Sequence, residues 1–251
     1  NQSAAEQPAP KLVHTSLRSS RYFLLKMFWD CANTHRKDRT NPPNLYSEFE
    51  NGRKGSTMPF IGYETWGNQY FDGYLNEPGP DIPVKDIDAF PRNPQYRHCY
   101  NKLWVSEQQG IECGPFGTVP PKFPVFGKPI YNLHSLGIES GIIANVESYQ
   151  QILKPGHMWV ELHRGDHISA DFAMVNGKVK WMLPIRGHSL GEGTFDYWEL
   201  LRGIDPALEE KLTSFAEASL PGYTGMANLE AIGGNIIEMH LRFSEQWPDL
   251  Y

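Results

Sequence analysis

The most constraining stretch of this 251-residue chain is residues 226–242, MANLEAIGGNIIEMHLR, where polar and apolar side chains alternate on both sides of a Gly-Gly pair. Alternation with a period of two is the pattern of a half-buried strand, so the stretch is predicted to fold as a hairpin with one face inward. Which side chains share a face depends on register, because a slip of one residue exchanges the faces. A two-residue Gly233-Gly234 turn would set Glu230 against Ile237 and Leu229 against Glu238, mixing polar and apolar on both sides. A three-residue loop, Gly233-Gly234-Asn235, instead pairs Glu230 with Glu238 and Asn228 with His240. Ala227, Leu229, Ala231, Ile237, Met239 and Leu241 then form one face, and Asn228, Glu230, Glu238, His240 and Arg242 the other. Segregation of polarity selects this second register. Its consequence is a pair of carboxylates directly opposite each other, which repel, and a bound cation is the simplest relief. Carboxylate oxygens suit Mg²⁺, and the planar fork of Arg242 suits phosphate. The plainer reading of the same residues is a solvated, charged sheet face.

A second hairpin is predicted over residues 168–184, ISADFAMVNGKVKWMLP, around the turn-forming pair Asn176-Gly177. That turn puts Ile168, Ala170, Phe172 and Met174 on one face with Val179, Trp181 and Leu183. Asp205-Pro206 opens a helix with Leu208, Leu212, Phe215 and Ser219 along one side, and Pro221-Gly222 stops it. Shorter elements are a helix within 100–110 ending at Gly110, strands at 123–130 and 158–162, and a helix at 148–153. Upstream, residues 1–15 read as a polar tail and Ser16 to about Asn33 as a helix. Residues 35–93 dissolve into Pro, Gly, Asn and aromatics, and the stretch 43–90 is a surface for a protein partner or a second copy of the chain.

Charge and composition exclude several classes. The net charge of −6 and pI near 5.9 argue against a protein that holds nucleic acid through its overall charge. Apolar runs fall short of the ~18 residues of a membrane span. Three cysteines without a CxxC pair fit a reducing compartment, taken as the cytoplasm. Two glycine-rich stretches carry no nucleotide motif. Residues 52–57 have P-loop letters in the wrong order, and 187–193 lead into Thr-Phe-Asp-Tyr-Trp and not into a packed helix opening.

Residues 222–242, GYTGMANLEAIGGNIIEMHLR, resemble the C-terminal signature of the ATP-grasp superfamily, an N-x-E strand, a turn and a strand ending E-x-N-x-R. Residues 161–178, ELHRGDHISADFAMVNGK, resemble its earlier E-x-x-x-G-x-E-x-S-x-D strand pair. Residues 100–130 resemble its opening, an N-K-bearing helix, a Pro-rich approach and the strand FPVFGKP. The matches follow the family's order over about 96–245. The resemblance implies an α+β fold of two subdomains with mostly antiparallel sheets, a lid over about 124–183 and a palm over about 184–251. It implies a core at 96–251 preceded by a 16–95 segment that lacks the usual strand–helix–strand domain.

The same resemblance implies an ATP-dependent ligase. ATP phosphorylates a carboxylate substrate, and an amine or similar nucleophile displaces phosphate from the acyl phosphate. Lys102 and Lys128 would meet nucleotide phosphate, Glu161 the adenine at the hinge, and His167 the ribose; Asn228 would join the nucleotide site. Glu230, Glu238 and His240 would hold Mg²⁺, Arg242 would offset charge during phosphoryl transfer, and Arg186 would grip the acceptor carboxylate. His240 stands where the family has Asn, which tilts the site toward Mn²⁺, and His167 stands where an acidic residue meets the ribose. Two other readings compete with the ligase. One is a non-catalytic ATP-grasp-like binding or assembly module. The other is a 2-His-1-carboxylate metal enzyme drawn from His157, Glu161, His163 and His167.

Overall fold

Asparagine and glycine at the strand ends set the frame of the molecule. In the computed structural model, which describes residues 60–61, 82–134, 139–191 and 194–244, all within the compact unit Arg53–Leu250, eleven strands are described. A two-residue pair, β1 (Phe60–Ile61) and β2 (Ile82–Pro83), is parallel. Strands β3 (Cys113–Pro115), β4 (Val125–Pro129), β5 (Gly141–Ile143) and β6 (His157–Glu161) form an antiparallel sheet in the order β3-β6-β4-β5. The larger antiparallel sheet has β7 (His167–Val175), β8 (Lys178–Gly191), β9 (Thr194–Leu200), β10 (Gly225–Ile232) and β11 (Asn235–His240), in the order β11-β10-β7-β8-β9. Helices are α1 (Asp86–Arg92), α2 (Lys102–Glu107), α3 (Val146–Ile152) and α4 (Pro206–Ser219), with a 3-10 segment at Pro94–Tyr100. The class is α+β, as expected. Sheet membership changes between Glu161 and His167, so the expected lid–palm boundary at 183/184 falls inside β8. No helix among the described residues is long and apolar enough to cross a membrane.

The main core lies on one face of the five-stranded sheet. Ala170, Phe172, Met174, Leu229, Ile236, Met239 and Leu241 pack there against Leu212, Ala216 and Leu220 of the α4 region and Val105 of α2. The Asp205 side chain caps α4 by accepting from the amides of Ala207 and Leu208, with Pro206 in the first turn. A smaller core of Val125, Ile143, Tyr149, Leu153 and Trp159 sits between the four-stranded sheet and α3. That helix opens at Val146, two residues before its expected start. Asn145 and Ser148 form a reciprocal capping box, so Ser148 is the third helical residue and not the first.

Both hairpins differ from their expected registers by a bulge. Asn176 and Gly177, at φ 51° and 73°, make the expected two-residue turn. Lys180 is then an extra residue, since Met174 pairs with Val179 but Ala173 pairs with Trp181. Trp181 and Leu183 therefore move off the Phe172 face, and Met182 takes the core position. In the β10–β11 hairpin the turn is the two residues Gly233-Gly234, because Ile232 pairs with Asn235. A bulge at Ile237 shifts the ladder, so Glu230 pairs with Glu238 and Asn228 with His240 as expected, while Ile236 replaces Ile237 in the core. A tight turn plus a bulge gives the same polar register as a three-residue loop, and hydrophobic segregation cannot tell them apart.

Two further corrections concern elements the sequence hid. Residues 82–93, read as irregular, contain β2 and α1. The helix is seven residues long with Pro91 inside it, too short for its period to stand out, and it is fixed by burial of Ala89 and Asp86. Strand β9 was not expected either. The expected helix at 16–33 and nearly all of the aromatic 43–90 surface lie outside the described residues.

Gly233 and Gly234 make a test of the turn. A Cβ on Gly233 (φ 56°) would come within 2.1 Å of the Arg164 carbonyl oxygen, whereas one on Gly234 (φ 83°) would meet nothing within 4 Å. Gly234→Ala is expected to cost about 1–2 kcal/mol, the strain of a left-handed backbone. Gly233→Ala is expected to cost clearly more, read by urea unfolding of both variants.

Candidate functional site

The face of the five-stranded sheet opposite the main core carries the candidate site. His167, Ser169 and Asp171 on β7 alternate with core residues, and pairing sets Ser169 beside Glu230 and Asp171 beside Asn228. Glu230, Glu238 and His240 each offer one ligand atom, and the three atoms lie within 4.8 Å of one another. Among the described residues this is the group of three or more His, Cys, Asp or Glu side chains that could hold a metal ion.

Side chains from other elements close on this face. Asn101 caps α2 by accepting from the Leu103 and Trp104 amides, which fixes the first turn of the helix. From that turn Lys102 reaches Glu238, with Nζ 2.5 Å from Oε2. Lys128 of β4 donates from Nζ to the Ile237 carbonyl at 2.8 Å, and Ile237 is the residue bulged out of the ladder. The bulge thus exposes a backbone acceptor where the four-stranded sheet meets the five-stranded one. His167 Nε2 lies 2.9 Å from Glu230 Oε2. Each member of the carboxylate pair therefore has its own protein partner, a lysine for Glu238 and an imidazole for Glu230.

The network extends inward through a residue the sequence reading missed. Asp86, on α1 and fully buried, lies 2.9 Å from His240 Nδ1 and 3.1 Å from Arg242 Nε through the same oxygen. Burial opposes its ionisation, but His240 and Arg242 prevail and hold it below the ordinary carboxylate value. Burial likewise opposes ionisation of Glu238, and Lys102, His240 and Lys128 outweigh it, so this carboxyl too is held well below its usual range. Burial, helped by neighbouring Lys102, pushes Lys128 down to about 8. Asp171 goes the other way: burial raises it to about 7 although Asn228, Arg242 and the Ser244 amide favour its charge.

The remaining expected residues divide clearly. Asn228 is in the site face and donates from Nδ2 to Ser169 Oγ and Asp171 Oδ1, both at 2.9 Å. Arg186 is not in it. Its pairing with Ile168 puts it on the opposite face, where it meets Asp166 at 3.1 Å and Glu199 at 3.4 Å. Arg186 thus lies apart from the face that gathers Glu230, Glu238 and His240. Glu161 ends β6 and lies 3.8 Å from His163 Nδ1. The 2-His-1-carboxylate alternative does not assemble. Glu161 is near His163 alone, while His157 is near Glu139, His163 is also bonded to Asn235, and His167 to Glu230, so the three histidines have separate partners. Asp86 could have been suspected only from an acidic residue two places after a buried valine, a pattern too common to single it out.

No protein-family model matches the chain, and no curated protein sequence matches it. Solved structures do. An L-amino acid ligase from Bacillus licheniformis is 14% identical with a TM-score of 0.51, over 71% of this chain and 52% of that one. The chain has the ATP-grasp fold. A D-alanine–D-alanine ligase from Bacillus anthracis complexed with ATP is 16% identical, with a TM-score of 0.39 over 58% of this chain and 55% of that one. The chain spans about half the length of each of these two ligases. At such identity the likeness is one of fold, with the N-x-E hairpin and the G-x-x-x-S-x-D strand in the same large sheet.

The buried Asp171 gives a pH test. Its native value is raised from 3.8 to about 7, so between these values the folded chain holds a proton that the unfolded chain has released. Stability attributable to this residue is therefore complete below about pH 4 and declines as pH rises toward 7. Asp171→Asn, which keeps the acceptor oxygen, is expected to flatten that decline by a few kcal/mol, measured by chemical unfolding at several pH values.

Proposed function

We propose that this chain binds ATP with a divalent ion and activates a carboxylate substrate for attack by an amine or a similar nucleophile. The observation that carries this reading is the convergence of Lys102, Lys128, Glu230 and Glu238 from α2, β4, β10 and β11 on one sheet face. Two lysines and two carboxylates in that arrangement suit a metal-bound polyphosphate. The ATP-grasp fold supports the same assignment.

Glu230, Glu238 and His240 are the residues that would hold the ion, and their donor set fits a divalent cation. Two carboxylates suit Mg²⁺, and the imidazole extends the range to Mn²⁺. When bound, Mg-ATP or Mn-ATP supplies the phosphoryl group that turns a carboxylate into an acyl phosphate, with the ion shielding negative charge. Lys102 now neutralises Glu238 and would turn toward phosphate as the ion takes over that carboxylate. Lys128 donates to the backbone carbonyl of Ile237, a bond it can exchange for a phosphate oxygen at small cost. Arg242, anchored by Asp86, would counter charge on the transferring group. Glu161 and His167 are assigned to the adenine and ribose ends of the nucleotide, and Asn228 to the floor beneath it.

A second reading, a non-catalytic binding module, draws on the internal pairing of the site. Glu238 with Lys102, Glu230 with His167, and Asp86 with His240 and Arg242 leave few charges without a partner. Phosphate release in the presence of carboxylate and amine mixtures separates the two readings: turnover identifies the ligase, and binding without turnover the module.

The first test is a thermal-shift series with ATP and ADP, each with Mg²⁺ or Mn²⁺. Ligand at 100 times its dissociation constant stabilises by about 2.7 kcal/mol, and such a shift is expected only with nucleotide and ion together. Glu238→Ala is expected to weaken Mg-ATP at least tenfold by calorimetry, and Lys128→Ala to lower kcat/KM for ATP at least tenfold. Absence of any nucleotide-dependent shift in the wild-type chain would overturn the proposal.

A further inference from the structure

His240 has two ring nitrogens in different surroundings. Its side chain is 7% exposed, and Nδ1 lies 2.9 Å from Asp86 Oδ2. Both ring nitrogens are buried and neither makes a hydrogen bond of good geometry, but Nε2 stands farther from a carboxylate, 3.6 Å from Glu238 Oε2. It points into the group formed with Glu230 and Glu238. Glu238 has its cation in Lys102, so it does not require a charged imidazole. Arg242 Nε lies 3.1 Å from the same Asp86 oxygen, a permanent cation beside that carboxyl. An ionised carboxylate beside one imidazole nitrogen holds the proton there and leaves the lone pair on the other.

We propose that Asp86 is a positioning residue that fixes His240 as its Nδ1–H tautomer, making Nε2 a donor to the ion and giving the site a preference for Mn²⁺ or Co²⁺ over Mg²⁺. The inference rests on the metal-site reading above and adds the class of ion and the residue that sets it. Imidazole nitrogen is a good ligand for first-row transition ions, whereas Mg²⁺ favours an all-oxygen shell and gives up its water reluctantly. A carboxylate behind a ligating histidine orients the ring and raises its basicity, and its loss typically lowers metal affinity 10–100-fold. Asp86 makes no contact with the ion itself. It acts through His240 from a helix remote in sequence.

The test titrates the full, metal-free chain with MgCl₂, MnCl₂ and CoCl₂ by calorimetry, with the visible absorption of bound Co²⁺ as a second readout. Wild type, Asp86→Asn, His240→Asn and the double variant are compared. Co²⁺ and Mn²⁺ are expected to bind the wild type at least tenfold more tightly than Mg²⁺. Asp86→Asn should weaken Co²⁺ about 10–100-fold and change Mg²⁺ less than about threefold. His240→Asn should remove the preference and the nitrogen signature in the Co²⁺ spectrum, and should make the second substitution silent. Equal loss of Mg²⁺ and Co²⁺ in Asp86→Asn, or an unchanged preference in His240→Asn, overturns the inference and leaves the metal site standing. Failure of the wild type to bind any of the three ions, with or without ATP, overturns the metal site itself. Long-range ¹H–¹⁵N spectra of the wild-type chain decide the tautomer even where Asp86→Asn fails to fold. An Nδ1–H imidazole supports the inference, and an Nε2–H ring or an imidazolium overturns it.

Discussion

Glu230 and Glu238 stand directly opposite each other on one sheet face, and the rest of the cleft is organised by the need to neutralise them. Like charges in cross-strand contact destabilise a hairpin unless something of opposite sign lies close. Lys102 brings its charge to Glu238, Lys128 is held close by the bulged carbonyl of Ile237, and His167 gives Glu230 a hydrogen-bonding partner. Those partners come from α2, β7 and β4, so the pair makes a local hairpin depend on distant segments. Removing the partners would leave buried negative charge, which costs more than an ordinary surface contact is worth.

The bulges explain how one sheet serves both as a packed core and as a charged face. A perfect ladder through Gly233-Gly234 would turn Glu238 toward α4 and Ile237 toward the cleft. The extra residue at Ile237 corrects the alternation and frees a carbonyl for Lys128 in the same step. At Lys180 a similar insertion brings Met182 onto the Phe172 face and carries Trp181 away from it. Packing is thus compatible with tight type I′-like turns only because the strands absorb one residue each.

Behind the half-buried carboxylates lies a fully buried layer of charge. Asp86, His240 and Arg242 are each less than a tenth exposed, and Asp171 shares that depth with Asn228. Their ionisation states differ because their neighbours differ. The His240 ring and the Arg242 guanidinium lie against Asp86 and favour its charge, whereas Asp171 has mainly neutral donors and is raised to about 7 by burial. A layer of this kind tolerates little rearrangement, and it fixes the orientation of the groups that face the cleft.

The sequence by itself determined the α+β class, the two hairpins and the Glu230–Glu238 pairing. Periodicity and turn chemistry are local, so they survive without knowledge of the fold. Tertiary structure decided the rest: the bulges, the face on which Arg186 lies, the separate partners of His157, His163 and His167, and the entire contribution of Asp86. Those depend on which residues meet in three dimensions, more than a hundred positions apart for Asp86 and His240, and no local pattern carries that information. The short α1 shows the same limit, since its seven residues are held by the burial of Ala89 and Asp86 and not by a helical repeat of their own.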